Sequence, residues 1–327
     1  LIMTTYKDIR GTHIKTVTTD PPAPVNGQMW YNSTTQVMKG FTSSPAGSWS
    51  SGGALNTGGI MPNDGAGTKT AGLIGGRLQE AGPSPGNKAN TEQYNGTSFS
   101  EVNDMNTARS AGAMGGTSYT SALFTGGQTP SLTGKTESWN GSNWTEVNDL
   151  NLSRRYFAGS IESNSGGIVY GGITPSGSGG TGQTEQWNGS SWTEVNDLNN
   201  ARRSNAGVGT SSNGFAMGGY DGTSVSFCEN WNGSTWTETA DQSDSGGGSA
   251  FGVYNDALKS SGQTTELWNG SAWSSGANSS SPTSNRSGVG VNTNAGFKSG
   301  GEPPNTGVTI TEEWTAPTTS TVTFTAS

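Results

Sequence analysis

The chain has 327 residues, 28% hydrophobic and 12% charged, with a formal net charge of -8 and a single cysteine, Cys228. The acidic surplus excludes the basic footprint of a DNA- or RNA-binding protein. One cysteine excludes an intrachain disulfide framework, and no apolar run approaches the ~18 residues of a spanning helix.

Residues 1–24 read as an extended arm and stiff linker. Tyr6, Lys7, Ile9, Arg10, Ile14 and Val17 are the candidate anchoring residues, and Asp20-Pro21-Pro22-Ala23-Pro24 cannot be helix interior. Leu1-Ile2-Met3 leads directly into polar sequence, so no leader peptide is expected and Met3 reads as the natural start. Residues 25–47 form a connector in which Gln28–Tyr31 and Gln36–Phe41 flank a four-residue turn, Asn32 to Thr35.

From residue 48 to 314 the chain is an array. Its unit is clearest at Thr136–Val147, where two short β-forming runs are hinged on Asn140-Gly141. A two-residue type I′ turn there would set Trp139 opposite Ser142 and Glu137 opposite Trp144, with both tryptophans on one side. The pattern of Glu, one residue, aromatic, Asn-Gly and a second aromatic recurs. It appears at Glu92/Tyr94/Phe99, Glu137/Trp139/Trp144, Glu185/Trp187/Trp192, Glu229/Trp231/Trp236 and Glu266/Trp268/Trp273, with a truncated copy at Glu312/Glu313/Trp314. The first aromatics are 45, 48, 44, 37 and 46 residues apart, a period at which each repeat is one supersecondary unit.

Each hairpin leads into a polar elbow such as Asn148-Asp149-Leu150-Asn151, then an Arg, a small-residue strand, and a strand that stops at a glycine pair such as Gly126-Gly127. Four strands per period result. A run ending in Gly-Gly, then Glu-x-aromatic, then Trp, then an elbow and Arg resembles the kelch repeat, which builds four-stranded blades of a β-propeller. The departures are a shorter hairpin, Ser261-Gly262 in the fifth copy, and Asp241-Gln242-Ser243-Asp244 where an Arg is expected. Trp49 opens the array without a hairpin partner and Trp314 ends it without one. Pairing these two strands would complete a sixth blade, so the fold class expected is all-β, a six-bladed kelch-like propeller closed by its N- and C-terminal strands. Residues 315–327 alternate as one further strand, suited to the residue 25–47 hairpin.

The phrases Lys7-Asp8-Ile9-Arg10-Gly11-Thr12 and Gly27-Gln28-Met29-Trp30-Tyr31, with the Asp20-Pro21-Pro22 linker, resemble the openings of virion proteins from tailed phages of marine bacteria. The resemblance implies a virion protein on the particle's exterior, bound to other virion proteins through its arm, homo-oligomeric, and directed at a host glycan or outer-membrane protein. Capsid decoration and, from another class, a polysaccharide-degrading enzyme are the alternatives.

The hairpin turns share one face, and the elbows and the segments after the glycine pairs share the other. Length variation sits in the latter, the usual place for a binding face in repeat proteins. The binding candidates there are Arg77, Gln79, Lys88, Gln128, Tyr220 and Asp221, with Arg155, Tyr156 and Arg203 from the elbows. The repeated Glu92, Glu137, Glu185, Glu229 and Glu266 read as structural, paired with Arg109, Arg154, Arg202 and Arg286, because catalytic carboxylates differ in environment instead of recurring identically. The Asn-Asp elbows offer oxygen ligands but lack an EF-hand spacing. His13 is the single histidine, too few for a usual zinc or copper site. No catalytic residue, metal or cofactor is therefore assigned.

Overall fold

The structure, a computed structural model, describes residues 14–25, 27–44, 46–60, 64–79, 85–177, 179–284, 286–302 and 308–324. Among these the regular elements are all strands, paired into seven four-stranded sheets. Two compact units result, Leu1–Gly47 with Pro317–Ser327, and Ser48–Ala316.

The smaller unit is the sheet β1-β2-β3-β28, built from β1 (Lys15–Val17), β2 (Met29–Asn32), β3 (Val37–Ser44) and β28 (Thr318–Phe324). Here the four-residue connection is Ser33 to Gln36, one residue later than expected, because Asn32 pairs with Val37. The Asn32 side-chain oxygen accepts the N–H groups of Thr34 and Thr35. Asp20 ties the sheet to the Pro-rich stretch by accepting from Trp30 Nε1 (2.9 Å) and Asn32 Nδ2 (2.8 Å) and pairing with Lys39 (2.6 Å). Those partners, Lys39 first, hold its carboxyl down at about 2. Ile14 is half-buried, and Val17 lies in β1, which runs parallel to β2. Tyr6, Lys7, Ile9, Arg10 and His13 lie outside the described residues.

In the larger unit the first sheet comprises β5 (Ala66–Thr68), β6 (Ala71–Gln79), β7 (Gly86–Tyr94) and β8 (Phe99–Val102). Next come β9 (Ala113–Ser118), β10 (Ser121–Thr125), β11 (Thr136–Trp139) and β12 (Trp144–Val147). The third sheet is β13 (Ala158–Ser163), β14 (Gly166–Tyr170), β15 (Thr184–Trp187) and β16 (Trp192–Val195). The fourth has β17 (Ala206–Gly209), β18 (Gly214–Tyr220), β19 (Ser224–Trp231) and β20 (Trp236–Glu238). The fifth has β21 (Ser249–Val253), β22 (Asp256–Ser261), β23 (Thr264–Trp268) and β24 (Trp273–Ser275). In the sixth, β25 (Ser287–Val289), β26 (Ala295–Ser299) and β27 (Thr311–Thr315) are joined by β4 (Ser48–Ser51) from the start of the array, with Trp314 opposite Trp49.

The sequence count of six four-stranded sheets is corrected to seven. β1 and β28 flank the N-terminal hairpin and satisfy its edge hydrogen bonds, making it a full sheet of its own. Within the larger unit, neighbouring sheets pack through their first strands in the order β5, β9, β13, β17, β21, β25, and β25 also contacts β5. The small residues of these strands permit that approach. A Cβ on Gly207 would stand 2.3 Å from the Tyr170 hydroxyl of the preceding sheet.

The hairpin register also differs from expectation. Trp139 pairs directly with Trp144 and Glu137 with Glu146, so the connection has four residues, Asn140 to Asn143. A type I′ turn needs positive φ at both central residues, whereas Gly141 has a φ of 92° and Asn140 is not in the positive region. Asn140 instead accepts the N–H groups of Ser142 (3.0 Å) and Asn143 (2.9 Å) with its side-chain oxygen, an Asx turn. The two indoles still share one side, their ring centroids 5.3 Å apart. The same spacing recurs at Trp187/Trp192 and Trp268/Trp273, and Trp231/Trp236 differs by 0.1 Å at 5.4 Å.

Candidate functional site

The repeated glutamates are buried inside their sheets and consumed by local bonds. Glu137 accepts Asn106 N (2.7 Å), Asn106 Nδ2 (2.9 Å) and Thr107 N (3.2 Å) from the elbow and pairs with Arg109 at 3.2 Å. Burial brings the Arg109 guanidinium down to about 10, opposed by Glu137. Glu185 pairs likewise with Arg154, and Glu229 with Arg202. Arg286 pairs with Glu312. Glu266 accepts the N–H groups of Ser243 and Asp244, and the buried cation nearby is Lys259, held by Gln242 and Gly246. Each Glu therefore pins an elbow to its own sheet, and the elbow Asp does similar work. Asp104, Asp149 and Asp197 accept the N–H groups of Thr91, Thr136 and Thr184.

Arg77 is not a loop residue as expected. It is 0% exposed and pairs with Glu92 at 2.7 Å. It stands opposite Gly59, where a Cβ would lie 3.0 Å from its Cδ. Asn106 and Asn56 bond their glutamates alike, which puts Arg109 and Gly59 at the same place in the elbow. Phe124 and Ile74 face Glu137 and Glu92 alike, which puts Gly127 and Arg77 at the same place on the second strand. Arginine and glycine have thus exchanged places in the first sheet, and the buried ion pair is preserved.

Of the other expected binding residues, five make contacts in two separate groups, and of these Tyr156 and Arg203 line the cavity described below. Arg155 donates to the Gln128 side chain and lies over the Tyr156 ring at 5.0 Å. Arg203 lies over Tyr220 at 4.6 Å and exchanges backbone hydrogen bonds with it. Gln79 ends β6, Lys88 on β7 pairs with Arg77 on β6, and Asp221 is exposed, capping Thr223 in its own turn. None of these three lines the cavity described next.

That cavity, of about 420 Å3, opens where the elbows become first strands. Its walls include Gly112, Tyr156, Phe157, Arg203, Asn205, Gly248, Ser284 and Asp64. Ala111, Tyr156 and Ser204 occupy equivalent elbow positions at φ of 58°, 54° and 54°. For non-glycine residues that conformation costs on the order of 1 kcal/mol each and concentrates at functional sites. A backbone chain links the three, since Tyr156 N donates to Ala111 O (2.9 Å) and Ser204 N to Tyr156 O (2.7 Å). Asp64 accepts the N–H groups of Gly288 (3.3 Å) and Ala250. Protein surrounds its carboxyl even though the cavity reaches it, and this desolvation pushes it up to about 7. Asp64 is the one carboxylate among the described residues that lines the cavity. Sequence reasoning missed Asp64 and Asn205. Superposing the repeat on its paired arginines exposes the second, because the residue three places on is Gly112, Phe157 and Asn205 in successive copies.

No protein-family model matches the sequence, and no curated protein is similar to it. Solved structures are similar. YjhT, described as "Structure of YjhT", superposes with a TM-score of 0.64 at 11% identity, over 82% of this chain and 99% of its own. At that identity the likeness concerns the fold, and with the stacked four-stranded antiparallel sheets it makes this chain an all-β protein of the β-propeller type.

Proposed function

We propose that residues 48–316 are a closed six-bladed propeller of the kelch kind. We propose further that the protein is a non-enzymatic structural component on the exterior of a bacteriophage virion, attached in several copies through residues before β1 and displaying the propeller for host-surface recognition. The cyclic series of first-strand contacts and the pairing of β27 with β4 within the larger unit support closure. The likeness of the leader and linker to phage virion proteins supports the biological setting.

The observation that carries the non-enzymatic reading is the fate of the carboxylates. Glycoside hydrolysis ordinarily uses two carboxyl groups flanking one bond. Here the glutamates of the repeat are spent on buried ion pairs and elbow N–H groups, which leaves Asp64 as the one cavity carboxylate among the described residues. Recognition then falls to the elbow face, where Gln128, Arg155 and Tyr156 form one group and Arg203 and Tyr220 another. Immunogold labelling of intact particles with an antibody against the propeller tests this. Label on tail fibres is the expected result, label over the head would make the protein a capsid decoration, and no label on any particle would overturn the virion reading.

A further inference from the structure

Asp64 is a departure from the repeat. Ala66 pairs with Leu73 as Gly115 pairs with Leu123, so Asp64 stands where the second sheet has Ala113. Ala158, Ala206, Ser249 and Ser287 hold the same place in the remaining sheets, and all five are small and buried. The fold asks for a small residue there and receives a carboxylate. No cation meets that carboxylate among the described residues. It accepts the Gly288 and Ala250 N–H groups, which leaves part of the roughly four acceptor sites of a carboxylate unused. It also stands where the first strands converge. A second cavity, of about 70 Å3, reaches Asp64 and is walled by Gly67, Gly116, Ile161, Gly209, Gly252 and Gly288.

The opposite charge on the walls is unspent as well. Arg203 lies over the Tyr220 ring at 4.6 Å, which fixes its direction. Its Nε is buried, but Nη1 and Nη2 remain accessible and bond to nothing among the described residues. Arg286, the other cation on the walls, is paired with Glu312. Asp64 belongs to the first sheet and Arg203 to the fourth, three places apart in the series of first strands counted in either direction, and they do not pair with each other. A half-buried charge without a counter-ion is costly, and a cavity with one of each sign is matched by neither a cation nor an anion alone.

We infer that the cavity binds a small zwitterion, its ammonium held by Asp64 and its carboxylate by the terminal nitrogens of Arg203. The inference stands on the cavity and does not depend on the virion reading. A guanidinium meets a carboxylate through two parallel N–H bonds, and both charged contacts gain strength where water is excluded. Tyr156 supplies a ring for the methylenes between the two ends. About 420 Å3 falls within the roughly 300–1,000 Å3 typical of small-molecule pockets. Tyr156 and Tyr170 are the remaining titratable groups close by, and the Tyr170 hydroxyl is pushed up by burial and further by Asp64.

The test titrates the purified full-length chain at pH 8 with β-alanine, 4-aminobutanoate, 6-aminohexanoate and 8-aminooctanoate, by calorimetry and saturation-transfer NMR. This series is a ruler for the distance between the two charges. One length is expected to bind saturably and best, with butylamine and butyrate at least about tenfold weaker, the worth of one charged contact. Asp64→Asn and Arg203→Gln should each weaken the best ligand by about tenfold or more. The Asp64 carboxyl titrates near 7, so wild type should bind about tenfold less well at pH 6 than at pH 8. Arg203→Gln keeps that pH dependence and Asp64→Asn loses it, a split that misfolding would not produce. Thermal midpoints accompany each titration, and the asparagine oxygen still accepts the Gly288 and Ala250 N–H groups. No saturable binding at millimolar ligand, binding indifferent to either substitution, or butylamine or butyrate binding as well as the best zwitterion overturns the inference.

Discussion

A single indole hydrogen bond repeats from sheet to sheet. Trp144 Nε1 donates to Thr91 Oγ1 of the preceding sheet (3.0 Å), Trp192 to Thr136 (3.1 Å), Trp236 to Thr184 (3.3 Å) and Trp49 to Thr265 (2.9 Å). Cys228 stands where these threonines stand and is 1% exposed. Burial pushes its thiol up to about 12, so it remains a neutral, weak acceptor. Trp273 turns instead to the Ala240 carbonyl at 3.0 Å. Thr136→Val is expected to cost about 1 kcal/mol in urea denaturation. Cys228→Thr should cost nothing and restore the indole partner, visible as a shift of the Trp273 Nε1–H resonance. Asp64 gives a pH signature. Its folded carboxyl titrates near 7, against ~3.9 in an unfolded chain, so the native state holds the extra proton between those values. Stability then falls as pH rises from about 4 to about 7 and levels above. Asp64→Asn lacks that titration, so its stability relative to wild type should grow across this window and be flat beyond it. Denaturation midpoints at pH 4.5, 6 and 8 decide the matter.

At the scale of the element, the hairpin and the ion pair carry the fold. The Glu–Arg pairs are fully buried, so removing one partner strands a charge. Arg77→Ala is expected to destabilise by about 3–5 kcal/mol. The exchange of Gly59 and Arg77 makes a sharper prediction. Arg77→Gly combined with Gly59→Arg rebuilds the arrangement of Arg109 and Gly127 and should recover most of that loss, whereas Gly59→Arg alone collides with Arg77. A double-mutant cycle in urea measures the coupling. The elements were largely legible in sequence. Glu, aromatic and Asn-Gly at fixed offsets specify a hairpin whatever surrounds it. The register was not legible, because Asn-Gly serves a type I′ turn and an Asx-capped four-residue turn equally well. Arg77 was misplaced for a related reason: a lone Arg after a glycine pair reads as a loop cation until Gly59 is seen opposite it.

For the molecule as a whole, the two units separate two kinds of truncation. Removing residues 317–327 takes β28 from the smaller sheet and should leave the main unfolding transition of Ser48–Ala316 in place. Removing residues 311–327 also takes β27, which leaves β4 and β26 without their shared neighbour. That loss should lower the midpoint of the entire larger unit, because sheets that pack in series share their stability with their neighbours. Calorimetry of both truncations distinguishes the outcomes. Equal midpoints would argue that β27 contributes only locally.

By itself the sequence determined that this is an array of four-stranded antiparallel sheets, because alternation, turn residues and a period near 45 residues are local properties that each repeat restates. It also marked the repeated glutamates as structural, since a residue present in every copy at one place serves the copy. Tertiary structure alone decided which cation meets each glutamate, since Arg109 reaches its carboxylate from the elbow and Arg77 an equivalent one from β6. It alone made the cavity, whose walls come from separate elbows brought together only when the sheets pack. It also turned Asn205 from an ordinary elbow residue into a buried, unpartnered amide, because burial belongs to the packed molecule and not to the segment.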